Sequence, residues 1–152
     1  MRRFQPKSLA ILVALVGLST AANAASGVGA TGYTVERTTP EGGLRVLHDG
    51  VPVWRLPPDP GRFQLYVSGA SDHTGDTIPE LIVVERTSRS FGTVYVLSLF
   101  PDRVEEILTE SAFHTALRGF EHLAPGAPLS EAMQMLDGPD GIDFVPEPPL
   151  RD

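Results

Sequence analysis

The run "ELIVVERTSRSFGTVYVLSLF", residues 80 to 100, places apolar side chains on both alternating faces of two successive strand-like segments. In the second segment Val94, Val96 and Phe100 fall on one face, and Tyr95, Leu97 and Leu99 on the other. Strands of that kind belong in the middle of a sheet covered on both sides. A fold for this chain must therefore supply both neighbouring strands and covering layers. The neighbours are close at hand: "RFQLYVSG" (62 to 69) precedes, and "RVEEILTE" (103 to 110) follows a Pro-Asp turn. Four strands joined by short connections favour an antiparallel meander.

Upstream, "GGLRVLHDGVPVWRL" sets the apolar runs Leu44 to Leu47 and Val51 to Leu56 around Asp49-Gly50. A two-residue Asp-Gly connection predicts a type I′ hairpin, whose central residues need positive φ. Pro52 has no amide to donate, which assigns its strand to a sheet edge. After Thr109 the period changes, for Phe113, Ala116, Leu117 and Phe120 fall at i, i+3, i+4 and i+7. That spacing predicts a helix with Ser111 as N-cap, built on Phe113, Leu117 and Phe120 and covering the second face of the 93 to 100 strand. "PLSEAMQMLDG" predicts a second short helix, with Ser130 as N-cap and Gly138 after its end. The expected fold class is mainly β: a small antiparallel sheet, made of the four-stranded meander and an N-terminal hairpin, with one or two short C-terminal helices.

The ends frame this unit. "MRRFQPKSLAILVALVGLSTAANAASG" has a basic opening, an apolar stretch from about Leu9 to Leu18, and small residues ending in Ala22-Asn23-Ala24. This is the pattern of a secretory signal peptide over residues 1 to 24, with cleavage after Ala24 and a periplasmic or extracellular product. The apolar stretch falls short of the roughly 20 residues a spanning helix needs, so no membrane span is expected after cleavage. Residues 25 to 32 are expected to be a flexible lead-in, 33 to 137 a single β-rich domain, and 138 to 152 an irregular tail rich in Pro and Gly. There is no cysteine, so the fold cannot lean on disulfides. The formal charge is −7, and loss of Arg2, Arg3 and Lys7 with the leader makes the remainder more acidic. Nucleic acid is excluded as a partner class, because backbone binding needs clustered cations.

Between the first two strands of the meander lies "SGASDHTGDTIPE", with Asp72, Asp76 and Glu80 at spacings of four. Carboxylates held about 5 Å apart at an effective dielectric near 20 repel by roughly 3 kcal/mol per pair. Such a loop either splays or holds a hard cation; a solvated turn in which Asp72 caps backbone amides is the competing account. With Asp72 as position 1, side chains at 1, 3 and 5 can point inward, the carbonyl of position 7 can join them, and the acid at 9 can close the shell. Ca²⁺ takes six to eight oxygens of these kinds. The EF-hand pattern is rejected, since positions 6 and 12 hold Thr77 and Val83.

"DHTGDTIPEL" followed by an apolar strand resembles the calcium loop of FG-GAP and VCBS-type repeats, the blade units of integrin-like β-propellers. The resemblance spans about residues 62 to 110. It implies a blade-like four-stranded sheet and weak Ca²⁺ coordination by Asp72, Thr74, Asp76, the carbonyl of Ile78, and Glu80. The chain departs from the pattern at Thr74, a neutral hydroxyl where an amide or acid is usual, and at Thr77, where Gly is usual. A closed propeller needs about four or more blades, so a blade-like sheet is expected here and not a propeller.

The remaining candidates are weaker. His48, His73, His114 and His122 form no zinc spacing and are read as surface or packing residues, with His73 within reach of a carboxylate that can orient it. Ser71, Asp72 and His73 are adjacent in sequence, which is no sign of a triad, and no nucleophile elbow, phosphate loop or dinucleotide motif is present. Asp137, Asp140 and Asp143 could form a second, looser cation site, or simply end a helix. The functional expectation is a secreted, non-catalytic binding or structural module for a protein or glycan of the cell envelope. A metal-dependent hydrolase using the same acidic loop is the alternative.

Overall fold

The computed structural model describes residues 25–27, 30, 32–38 and 42–137. The expected leader and the irregular tail, with Asp140 and Asp143, lie outside them. The protein is mainly β, with two antiparallel sheets and two short helices. It divides into two compact units, Met1–Pro60 and Gly61–Asp152, where the sequence predicts one domain over 33 to 137.

The first unit holds β1 (Ala25–Gly27), β2 (Tyr33–Thr38), β3 (Gly43–His48) and β4 (Val51–Leu56), paired in that order. The expected hairpin is β3 and β4. Asp49 and Gly50 both have positive φ, 48° and 81°, as a type I′ turn requires. Pro52 sits on β4, an edge strand, where its missing amide costs no ladder bond. The hairpin belongs to a separate sheet and is not an appendage of the meander. Ala25–Gly27 pairs with β2, where a flexible lead-in was expected. β2 is a strand that the sequence reading does not predict; its Tyr33 and Val35 join Leu44, Val46 and Leu56 among the buried apolar residues.

The second unit holds β5 (Gln64–Val67), β6 (Glu80–Arg86), β7 (Phe91–Leu99) and β8 (Val104–Phe113), an antiparallel meander in sequence order. β6 and β7 are its middle strands, as their two-sided apolar pattern demands, and β6 is buried along its whole length. Register pairs Ile82 with Val96 and Val84 with Val94, forming one apolar face. That face is closed by α1 (His114–Glu121) and α2 (Leu129–Asp137) through Ala116, Leu117, Phe120, Leu129, Ala132 and Leu136.

The covering helix is shorter at its start than the apolar spacing indicates. β8 runs on to Phe113, so Ser111 is a strand residue bonded across to Thr93 and not an N-cap. Phe113 packs edge-on against Phe91 and makes no part of the helical face. The α2 helix likewise starts at Leu129, one residue before the proposed cap Ser130. Gly119 lies where α1 approaches α2: a Cβ there would come within 2.9 Å of Met135 Sδ.

Phe120 is fully buried in this core, whereas Met133 is 37% exposed on the outer side of α2. Phe120→Ala should therefore cost about 3–5 kcal/mol in urea unfolding, and Met133→Ala within about 0.5 kcal/mol. Equal, small effects would show that the helices are not integral to the core.

Candidate metal centre

The acidic loop joins β5 to β6 and is pinched at its base, where Ser71 N donates to Glu80 O at 3.0 Å and Glu80 N to Ser71 O at 2.8 Å. Within it Asp72 does most of the folding. Its Oδ1 accepts from the amides of Gly75 (2.8 Å) and Thr74 (3.2 Å), and its Oδ2 from that of Thr77 (3.0 Å). Desolvation opposes ionisation of Asp72, but the amides of Gly75, Thr77, Thr74 and Asp76 together outweigh it and hold the carboxyl below its ordinary range. Asp76 Oδ1 accepts from Ile78 N at 2.9 Å.

Glu80 is fully buried. Its Oε2 accepts from His73 N at 2.6 Å and its Oε1 from Thr74 Oγ1 at 3.0 Å. Burial is the main force raising its pKa; these two bonds work against it, and the charges of Asp76 and Asp72 add to the rise.

Of the residues the sequence nominated, Asp72, Asp76 and Glu80 each offer a carboxylate oxygen, and these oxygens lie within 4.8 Å of one another. Thr74 is tied to this group by its hydroxyl, and Ile78 by its amide. Among the described residues Asp76 Oδ2 has no donor, so one carboxylate oxygen remains open for a ligand. The donor set is all oxygen, as a hard cation requires. Thr77 has φ 71°, so the loop adopts at this β-branched residue the left-handed backbone that glycine would take without strain.

His73 is the residue whose role the sequence did not reveal. It is buried, and among the described residues no carboxylate bonds to its ring: Nδ1 faces Ala127 O at 2.7 Å and, a carbonyl being only an acceptor, must donate. His73 O accepts from Leu129 N at 2.9 Å, and Ser71 Oγ from Gly126 N at 2.6 Å. The loop is thus bolted to the segment that leads into α2. Neither bond joins Ser71 to His73, so no nucleophile and base are paired there. The other histidines lie elsewhere: His48 stacks on Tyr33, His114 bonds to Arg86, and His122 follows α1. No family model, curated protein or solved structure matches this chain.

Two outcomes follow. A left-handed non-glycine residue costs about 1–3 kcal/mol and glycine's extra unfolded freedom about 0.5–1 kcal/mol, so Thr77→Gly should stabilise the protein by about 1 kcal/mol; a lower melting temperature would show that the Thr77 side chain earns its place by other contacts. Second, because the folded pKa of Glu80 is raised, the folded state binds its proton more tightly than the unfolded state does. In chelator its contribution to stability falls as pH rises from the ordinary glutamate range through the raised value. In Glu80→Gln the amide oxygen can accept from His73 N while the NH2 donates to Thr74 Oγ1, so both contacts survive without the charge; the variant should melt higher than the parent at pH 7, with the gap closing on acidification. A gap that does not depend on pH would contradict this origin.

Proposed function

We propose that this is a secreted, non-catalytic binding or structural module of the cell envelope whose β5–β6 loop binds calcium weakly, in a blade-like sheet of the FG-GAP/VCBS type. The observation that carries the reading is the convergence of the Asp72, Asp76 and Glu80 carboxylates within 4.8 Å on a loop rigidified by its own backbone bonds. Thr74, the Ile78 carbonyl and water are the proposed remaining ligands. The four-stranded antiparallel meander around the loop supports the blade comparison. A basic opening and a small-residue cleavage pattern support export.

A non-catalytic role is favoured over a metal-dependent hydrolase by the surroundings. Among the described residues a cavity of about 160 Å³ beside the loop is lined by Ser71 and His73, with none of the three acids on its wall. Catalytic metals keep an open position facing a substrate cleft. The calcium is accordingly a local brace, holding the loop and, through His73 and Ser71, the start of α2.

With a neutral hydroxyl at Thr74 the affinity should fall in the extracellular range, a Kd of roughly 10⁻⁴–10⁻³ M. Between about one and ten times Kd, linkage gives about 0.4–1.4 kcal/mol of stabilisation. Melting temperature should therefore rise modestly with millimolar calcium. Asp76→Asn is the sharpest variant, because it keeps the bond to Ile78 N and removes the open charged oxygen, and its melting should be indifferent to calcium. Calorimetry and melts of the parent that do not respond to calcium would overturn the proposal.

A further inference from the structure

At the far end of β6 from Glu80, six residues or about 20 Å away at strand rise, Arg86 forms the floor of a second and chemically opposite feature. A cavity of about 300 Å³ is lined there by Phe63, Arg86, Arg89, His114, Arg118 and Glu121 among others. Its floor is already satisfied. Arg86 is 4% exposed; its Nε donates to Glu121 Oε1 at 2.8 Å, and its Nη1 donates to Arg89 O at 3.2 Å and to His114 Nδ1 at 3.0 Å. A guanidinium has no acceptor, so His114 Nδ1 must accept, which fixes the ring as the Nε2–H tautomer and leaves that N–H as a donor.

The rim is not satisfied. Neither the Arg89 nor the Arg118 side chain has a hydrogen bond or ion pair among the described residues, and both are exposed. In a chain of formal charge −7, three arginines against one glutamate converge on a single concavity, with Phe63, 54% exposed, as its apolar wall. Guanidinium groups bind carboxylates and phosphates through paired N–H donors, and a volume near 300 Å³ lies at the small end of ligand pockets.

We infer that this cavity binds a compact organic oxyanion, a carboxylate or a phosphate, gripped by Arg89 and Arg118 with its apolar part against Phe63. The site is separate from the acidic loop and does not rest on the calcium reading.

The test is a heteronuclear NMR titration of the full chain in chelator, at constant ionic strength, with acetate, benzoate and inorganic phosphate as probes. The expected result is saturable shifts at Phe63, Arg89, His114 and Arg118, the tighter of the carboxylate and phosphate arms identifying the group recognised. Arg89→Gln and Arg118→Gln, which remove no internal bond, should each weaken binding by about tenfold. Arg103→Gln makes the same change of charge at the opposite end of the sheet, in the β7–β8 turn, and should leave affinity unchanged. Shifts that fail to saturate with every probe would overturn the inference, as would an Arg103→Gln variant that loses as much as the rim variants.

Discussion

β6 carries three ionisable side chains, Glu80, Glu85 and Arg86, into a strand that is buried along its whole length. Removing a charge from water is tolerable only if it is paired or hydrogen-bonded, so each of the three dictates the position of something else. Glu80 is met by the amide of His73 and the hydroxyl of Thr74, which fixes the acidic loop. Glu85 is met by Arg62, at 2.9 Å, and by Tyr95 Oη, at 3.0 Å, which ties the entry to β5 and the neighbouring strand to it. Arg86 is met by Glu121 and His114, which sets the position of α1 across the sheet. Tyr95 shows how strong this surrounding is: desolvation first, and then the Glu85 charge, push its hydroxyl up to about 12.

The same constraint accounts for the layout of the covering layer. The apolar face of Ile82, Val84, Val94 and Val96 needs burial, and hydrophobic contact alone would allow the helices several positions. The polar ties remove that freedom at both ends of the strand. Arg86 anchors α1, while the carbonyl of His73 receives the first amide of α2 and the ring of His73 clamps the segment before it. With Ala116, Leu117, Phe120, Leu129, Ala132 and Leu136 packed on it, the single meander closes this face with its own C-terminal segment.

The parts of this fold that were legible in the sequence are those fixed by local chemistry. Asp49-Gly50 announces its turn because few other pairs accept two positive φ values, and the two-sided apolar pattern of β6 and β7 announces their central place. What was not legible depends on partners distant in sequence. Ser111 and Phe113 fit a helix start by spacing, yet pairing with Thr93 and Phe91 keeps them extended, tertiary pairing overriding a local cap. The sequence around His73 shows only its acidic neighbours, since nothing near it points to Ala127, fifty-four residues on. The arginines of the rim are scattered between a turn and a helix, and the chain's overall acidity conceals them.

Within the loop the three acids do different work, and this decides how much the presence of each one says about an ion. Asp72 receives three backbone amides and would be needed to shape the turn with or without a cation. Glu80 receives the bonds that anchor the loop to β6, although a neutral amide could serve there at less electrostatic cost. Asp76 gives one oxygen to Ile78 N, a task that asparagine does equally well, and its second oxygen adds charge beside two other carboxylates. That second charge raises the repulsion in the loop and returns nothing to the folded chain alone. A cation seated beside it would turn that charge into a favourable interaction, so of the three acids Asp76 is the one whose presence points most directly to an ion.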